Sequence, residues 1–121
     1  MKDQTILIVD DAFFIRNLLG DTIRNAGYKN IFFAQDGLEA LDKASRLKPD
    51  LITLDISMPE MNGIEALGKI TEVSPSSKVV MVSALSSRLM VIEALKAGAV
   101  DFISKPFNSE LVEEVIKKHL S

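Results

Sequence analysis

Short apolar runs alternate with amphipathic helical stretches five times along the 121 residues, and this alternation constrains the fold more than any other feature. The runs are residues 5–9, 30–34, 51–54, 78–82 and 100–103. Between them lie helical patterns with readable ends. The first carries Ile15, Leu18, Leu19, Ile23 and Ala26 on one stripe and stops at Gly27. The second opens with Asp36 and Glu39 at capping-box spacing and ends at Lys48-Pro49. Asn62 caps a third pattern of Ile64, Leu67 and Ile70, which breaks at Ser74-Pro75; Ser86 and Ser87 precede a fourth, closed by Gly98. Asn108 or Ser109 opens the fifth, where Glu113–Lys117 and Glu114–Lys118 have favourable i,i+4 spacing. Five β-then-α units in succession predict a parallel sheet with helices on both faces.

The runs also rank themselves within that sheet. Ile6–Val9, Leu51–Leu54 and 79–82 are apolar at nearly every position, as strands buried on both faces and central must be. The fifth alternates Val100, Asp101, Phe102, Ile103 and suits an edge. A flavodoxin-like, doubly wound order of 2-1-3-4-5 with five helices satisfies these constraints. Ligands of such sheets bind at the carboxyl ends of the strands, at the switch between strands one and three.

Composition excludes several classes of function. There is no cysteine, so neither disulfides nor thiolate metal sites arise, and the single histidine, His119, excludes a histidine metal cage. A serine–histidine triad is left as a remote alternative, and His119, near the end of a solvated helix, reads as a surface residue. The longest apolar runs fall far short of the ~18 residues of a membrane helix, and no apolar signal region precedes Asp10-Asp11. A net charge of −3 gives no general pull toward nucleic acid or anionic lipid. With 47% hydrophobic and 26% charged residues, the expectation is a soluble, cytoplasmic, one-domain protein.

Polar residues gather where the topology rule says to look. The first run ends in Asp10-Asp11, the third in Asp55, the fourth in Ser83, and Lys105 follows the fifth. Taken singly each has a bland reading: Asp11 as a cap for the first helix, Asp55 as a turn starter, Ser83 as a loop hydroxyl. Jointly they do not. Three carboxylates within ~4 Å of one another repel by several kcal/mol per pair at an effective dielectric near 20. Lys105 offsets part of that, and a hard divalent cation the rest; oxygen ligands with retained waters suit magnesium. With a cation present, Asp55 is a plausible nucleophile for phosphoryl transfer. The cation, Lys105 and Ser83 then supply one partner for each equatorial oxygen.

Four blocks carry a resemblance over essentially the whole chain: Ile6-Leu7-Ile8-Val9-Asp10-Asp11; Asp55-Ile56-Ser57-Met58-Pro59-Glu60-Met61-Asn62-Gly63; Val82-Ser83-Ala84; and Lys105-Pro106-Phe107. In this order and spacing the chain resembles response-regulator receiver domains, and within them the CheY-like, stand-alone receivers of the chemotaxis type. The resemblance implies that Asp55 takes phosphate from the phosphohistidine of a histidine kinase or phosphotransfer domain. It implies magnesium, replaceable by manganese, on Asp11, Asp55 and the backbone carbonyl of Ser57, with Asp10 holding a coordinated water. It implies a switch made of Ser83 and Phe102, and a cis Lys105-Pro106 bond that aims the lysine. Serine stands at 83 in place of threonine, a common variant; Phe102 lacks the hydroxyl of members with tyrosine there.

A downstream protein that binds the phosphorylated form is expected to use a face of the fourth helix, fifth strand and fifth helix. Leu89-Met90-Val91-Ile92 span most of a helix circumference, so they cannot all face the core. Gly63 reads as permitting a tight turn. Residues 1–121 are expected to be a single receiver domain and a monomer. Met1 and the end at Ser121, straight after the last helical pattern, favour a stand-alone protein over the receiver portion of a regulator with a DNA-binding or enzymatic output domain.

Rival readings fit less well. A flavin carrier of this fold needs a hydroxyl- and amide-rich loop where Asp10-Asp11-Ala12 places anions. The Gly-x-x-x-x-Gly-Lys loop of nucleotide enzymes is absent. An aspartyl-phosphate phosphatase resembling haloacid dehalogenases expects a second aspartate where Ser57 stands. The chain therefore reads as a signalling protein that promotes its own phosphorylation and dephosphorylation, and not as an enzyme acting on a separate substrate.

Overall fold

The alternation resolves into a five-stranded, all-parallel sheet in a computed structural model of the chain. The structure describes residues 3–59 and 61–120; Met1, Glu60 and Ser121, named above, lie outside them. The elements are β1 (Thr5–Val9), α1 (Phe13–Asn25), β2 (Asn30–Ala34), α2 (Gly37–Leu47), β3 (Leu51–Leu54), α3 (Gly63–Val73), β4 (Lys78–Ser83), α4 (Arg88–Lys96), β5 (Asp101–Ser104) and α5 (Ser109–Leu120). Strand order is β2-β1-β3-β4-β5, as expected. β4 runs one residue further than its apolar run, and β5 is displaced by one, because Ser83 pairs with Ser104 at the end of the ladder.

The period-two alternation of the strands divides the core into two layers. Leu7, Val9, Ile52, Leu54, Val79 and Met81 face α2, α3 and α4, where they meet Ala40, Ala44, Leu67, Ile70 and Ala94. Ile6, Ile8, Leu51, Val80, Val82 and Ile103 face α1 and α5, where they meet Leu19, Ile23, Val112, Val115 and Ile116. β1, β3 and β4 are thus buried on both faces, which is why their sequences are continuous apolar runs.

The helix ends follow local chemistry. Asp36 accepts from the Glu39 amide at 2.8 Å, Asn62 from Glu65 at 2.9 Å, Ser87 from Met90 at 3.3 Å and Asn108 from Leu111 at 2.8 Å. α1 differs: its N-cap is Ala12 and no side chain caps it, so Asp11 is not a capping residue. Leu18 does not join the core stripe either; it is 40% exposed while its neighbour Leu19 is buried. On the buried side of the helix, Phe33 of β2 closes on Gly20 so tightly that a Cβ there would stand 2.9 Å from its ring.

His119 is a second departure. It is not a plain surface residue: half-buried, its Nε2 lies 3.0 Å from Asp101 Oδ2, because the end of α5 returns beside the start of β5. Lys118 also reaches that carboxylate, at 4.0 Å. Among the described residues no helix is long and apolar enough to cross a membrane.

Candidate functional site

Beyond the ends of β1, β3 and β5 the ladder adds one more backbone bond, and these bonds fix the site. The amide of Asp10 donates to Ala34 O, that of Asp55 to Val9 O and that of Lys105 to Ser83 O, at 3.1, 3.1 and 3.0 Å. Three site residues are therefore held at sheet spacing although they sit outside the strands. α3 presses in from below: a Cβ at Gly63 would lie 2.2 Å from the Asp55 carbonyl oxygen. Glycine at 63 is required by this close approach and not, as read from the sequence, by turn geometry alone.

Asp10, Asp11 and Asp55 each place a carboxylate oxygen within 4.8 Å of the others. Asp10 and Asp55 are buried and Asp11 is exposed, so the cluster opens to solvent on the Asp11 side. Lys105 Nζ donates to Asp10 Oδ2 at 2.7 Å and to Asp55 Oδ2 at 3.4 Å, following a cis Lys105-Pro106 bond. The lysine is thus bound more closely to Asp10 than to Asp55. Asp10 Oδ1 accepts from the Ala12 amide at 2.9 Å, and Arg16 donates to the Asp10 carbonyl at 2.7 Å. Asp55 Oδ1 accepts from the Ser57 amide at 3.2 Å.

Burial pushes the Asp55 carboxyl above its ordinary range, and the Asp10 charge adds to this; the Lys105 charge and hydrogen bonds from Ser83 and Ser57 offset only part. For Lys105 burial opposes the charged form, but the hydrogen bond and charge of Asp10, then those of Asp55, outweigh it and hold the ammonium above its usual range. One fixed cation against three carboxylates leaves like-charge pairs that cost about 3 kcal/mol each at an effective dielectric near 20. An all-oxygen cluster with excess negative charge and an open side fits a hard divalent cation.

The remaining expected site residues lie close by. Ser83 is fully buried, its Oγ accepting from the Leu85 amide at 3.1 Å while its hydroxyl faces Asp55. Phe102 is half-buried and packs on the α2–α3–α4 layer, with Met90 and Ala97 in the same apolar group. In α4 only Ala94 is buried; Leu89 is 72% exposed, Ile92 and Leu95 are exposed too, and Met90 turns inward. Sequence reasoning did not single out Phe13 and Phe14, which stand 69% and 73% exposed beside Asp11. The signal was present: two aromatics in succession at a helix start point about 100° apart, so a narrow core stripe does not take both.

This geometry has a counterpart among known proteins. A family model, the response regulator receiver domain, matches residues 6–117. The chain belongs to that family. The receiver is 50% identical over 113 residues to the chemotaxis protein CheY of Thermotoga maritima, covering 93% of this chain and 94% of that one. It is also 51% identical over 114 residues to the protein-glutamate methylesterase/protein-glutamine glutaminase of that organism, covering 90% of this chain and 33% of the relative. A crystal structure of the CheX–CheY–BeF3–Mg2+ complex of Borrelia burgdorferi superimposes with a TM-score of 0.91 at 34% identity, covering 99% of this chain and 92% of that one. The receiver family is one of signalling domains, and this chain carries the family's carboxylate pocket at the carboxyl end of its sheet.

Proposed function

We propose that this receiver is a phospho-accepting response regulator of a two-component phosphorelay, acting in chemotaxis or motility signalling. The observation that carries the reading is the cluster of Asp10, Asp11 and buried Asp55, with Lys105 bridging Asp10 and Asp55. Asp55 is the nucleophile. Its carboxylate oxygen attacks phosphorus of a phosphohistidine on a histidine kinase or phosphotransfer domain; the P–N bond breaks as the P–O bond forms, and the electron pair returns to the imidazole. Its burial and its bond from Ser57 orient one oxygen, and the opening beside Asp11 admits the donor. Lys105 and the Ser83 hydroxyl bind oxygens of the transferred group. Dephosphorylation is attack of water on the same phosphorus, with the Asp55 carboxylate leaving.

Magnesium, or manganese in its place, fits Asp11, Asp55 and the Ser57 carbonyl, with Asp10 acting through water. Bound there it supplies positive charge against the phosphoryl oxygens. Exposed Phe13 and Phe14 give the donor an apolar rim next to the carboxylates. Ser83 and Phe102 form the switch, and the apolar face of Leu89, Ile92, Leu95 and Leu111 across α4, β5 and α5 takes a downstream protein in the phosphorylated state. The receiver acts as a cytoplasmic monomer of one domain. A second reading, as the receiver portion of a longer regulator, draws on the likeness to one third of a methylesterase. Acetyl phosphate with magnesium adds one phosphate to the wild type and none to Asp55→Asn, read by intact mass. Undiminished phosphate on Asp55→Asn rejects the assignment.

A further inference from the structure

A groove of about 600 Å3 opens between α3 and α4, beside the carboxylate pocket and meeting it at Ser57. Its apolar lining is Ile56 and Met58 from the loop after β3, Ile64 from α3, Leu85 from the loop after β4 and Met90 from α4, with Ser57 and Asn62 as polar residues among them. Glu65 and Glu93 line it from opposite helices. The groove exists because the two helices meet only at one end. Near their carboxyl ends the Thr71 methyl lies 3.2 Å from where a Cβ on Gly98 would stand. One turn earlier on the same edge of α3, a Cβ on Gly68 would meet nothing within 4 Å.

The lining specifies an occupant. An apolar floor takes a leucine- or methionine-sized side chain, and Met58 and Met90 adapt to its shape. The rim is negative: Glu65 lies 3.7 Å from Lys69, while Glu93 has no ion pair among the described residues. An acidic segment or a nucleic acid is repelled there; a segment with lysine or arginine flanking its apolar anchor is attracted. We propose that this groove docks a basic, apolar-anchored helical segment of a partner protein, in the manner of helix-in-groove recognition. The walls come from the two loops that leave Asp55 and Ser83, so occupancy and the state of the carboxylate pocket share backbone. The groove is present in the unphosphorylated chain and docking is tested there, so this site stands or falls apart from Asp55 chemistry.

The test uses the isotope-labelled full chain and a twelve-residue capped peptide of leucine and lysine, with leucine at helical spacing. Amide shifts are expected at Ile64, Glu65, Gly68, Met90 and Glu93. Replacing the peptide's lysines with glutamate abolishes them, and Glu93→Lys weakens binding at least tenfold. Gly68→Leu fills the gap with a better helix former; it melts no lower than wild type and blocks the peptide. Shifts centred on Phe13, Phe14 and Leu18, no shifts at millimolar peptide, equal binding of the acidic peptide, or undiminished binding by Glu93→Lys and Gly68→Leu overturn the proposal.

Discussion

At the carboxyl end of the sheet Asp10, Asp11 and Asp55 cluster around a site where Lys105 bridges only Asp10 and Asp55, whereas at its amino end Asp101 alone receives His119 at 3.0 Å, Lys118 at 4.0 Å and its neighbour Phe102's amide at 2.9 Å. Burial penalises the charged form at both places. At Asp55 it dominates, and the carboxyl is held above its ordinary range. At Asp101 the hydrogen bonds from His119 and the Phe102 amide, with the charges of His119 and Lys118, outweigh it, and the carboxyl is held below that range. One residue type goes opposite ways because Asp55 is buried more deeply and faces the like charge of Asp10, whereas Asp101 is only half-buried and its neighbours are donors and cations. The Asp101 cluster is closed upon itself, and the Asp55 cluster keeps negative charge that only a ligand neutralises.

The largest effect expected is at the seat of the pocket. Gly63→Ala forces a methyl against the Asp55 backbone and should cost about 3 kcal/mol in urea unfolding, the upper range for overpacking. A cost under half of that breaks the claim that close approach fixes Asp55. Next comes one substitution with opposite signs at the two clusters. Asp55→Asn removes an ill-matched charge and should raise the melting temperature by several degrees, while Asp101→Asn removes a matched one and should lower it similarly, each corresponding to about 1 kcal/mol. Equal signs contradict the comparison.

The smallest effect is in the pH dependence. A depressed carboxyl such as Asp101 contributes stability above the unfolded value of about 3.9, and that contribution is lost as pH falls through its lower folded value. A raised carboxyl such as Asp55 acts the other way. Above pH ~3.9 the native state holds the proton more tightly than the unfolded chain, so stability declines as pH rises through the folded value. Melts across this range should show the acid-side loss reduced in Asp101→Asn and the decline on the rising side reduced in Asp55→Asn.

Much of this was legible in the residues. Continuous apolar runs placed β1, β3 and β4 centrally, and the sheet order then brought Asp10, Asp11, Asp55, Ser83 and Lys105 to one end. The Asp101–His119 contact was not legible, since it joins residues eighteen apart that meet only when α5 turns back along β5. Leu18 carried the right period for the core, yet the buried face of α1 is centred on Leu19, Gly20, Thr22 and Ile23, which leaves Leu18 at its edge and 40% exposed. Asp11 had the right chemistry for a cap, yet Ala12 holds the N-cap position of α1 and Asp11 is left to the carboxylate cluster. Period and residue type describe what an element prefers; which neighbour occupies the space is decided by packing.

Thermal unfolding with and without millimolar magnesium tests the charge imbalance most directly, because a ligand of the native state alone raises the melting temperature. Wild type should melt higher with magnesium. Asp11→Ala should melt higher than wild type without it and gain little from its addition, while Asp101→Asn should keep the full wild-type gain. A wild-type melting temperature indifferent to magnesium and manganese, or an equal gain in Asp11→Ala, contradicts the account.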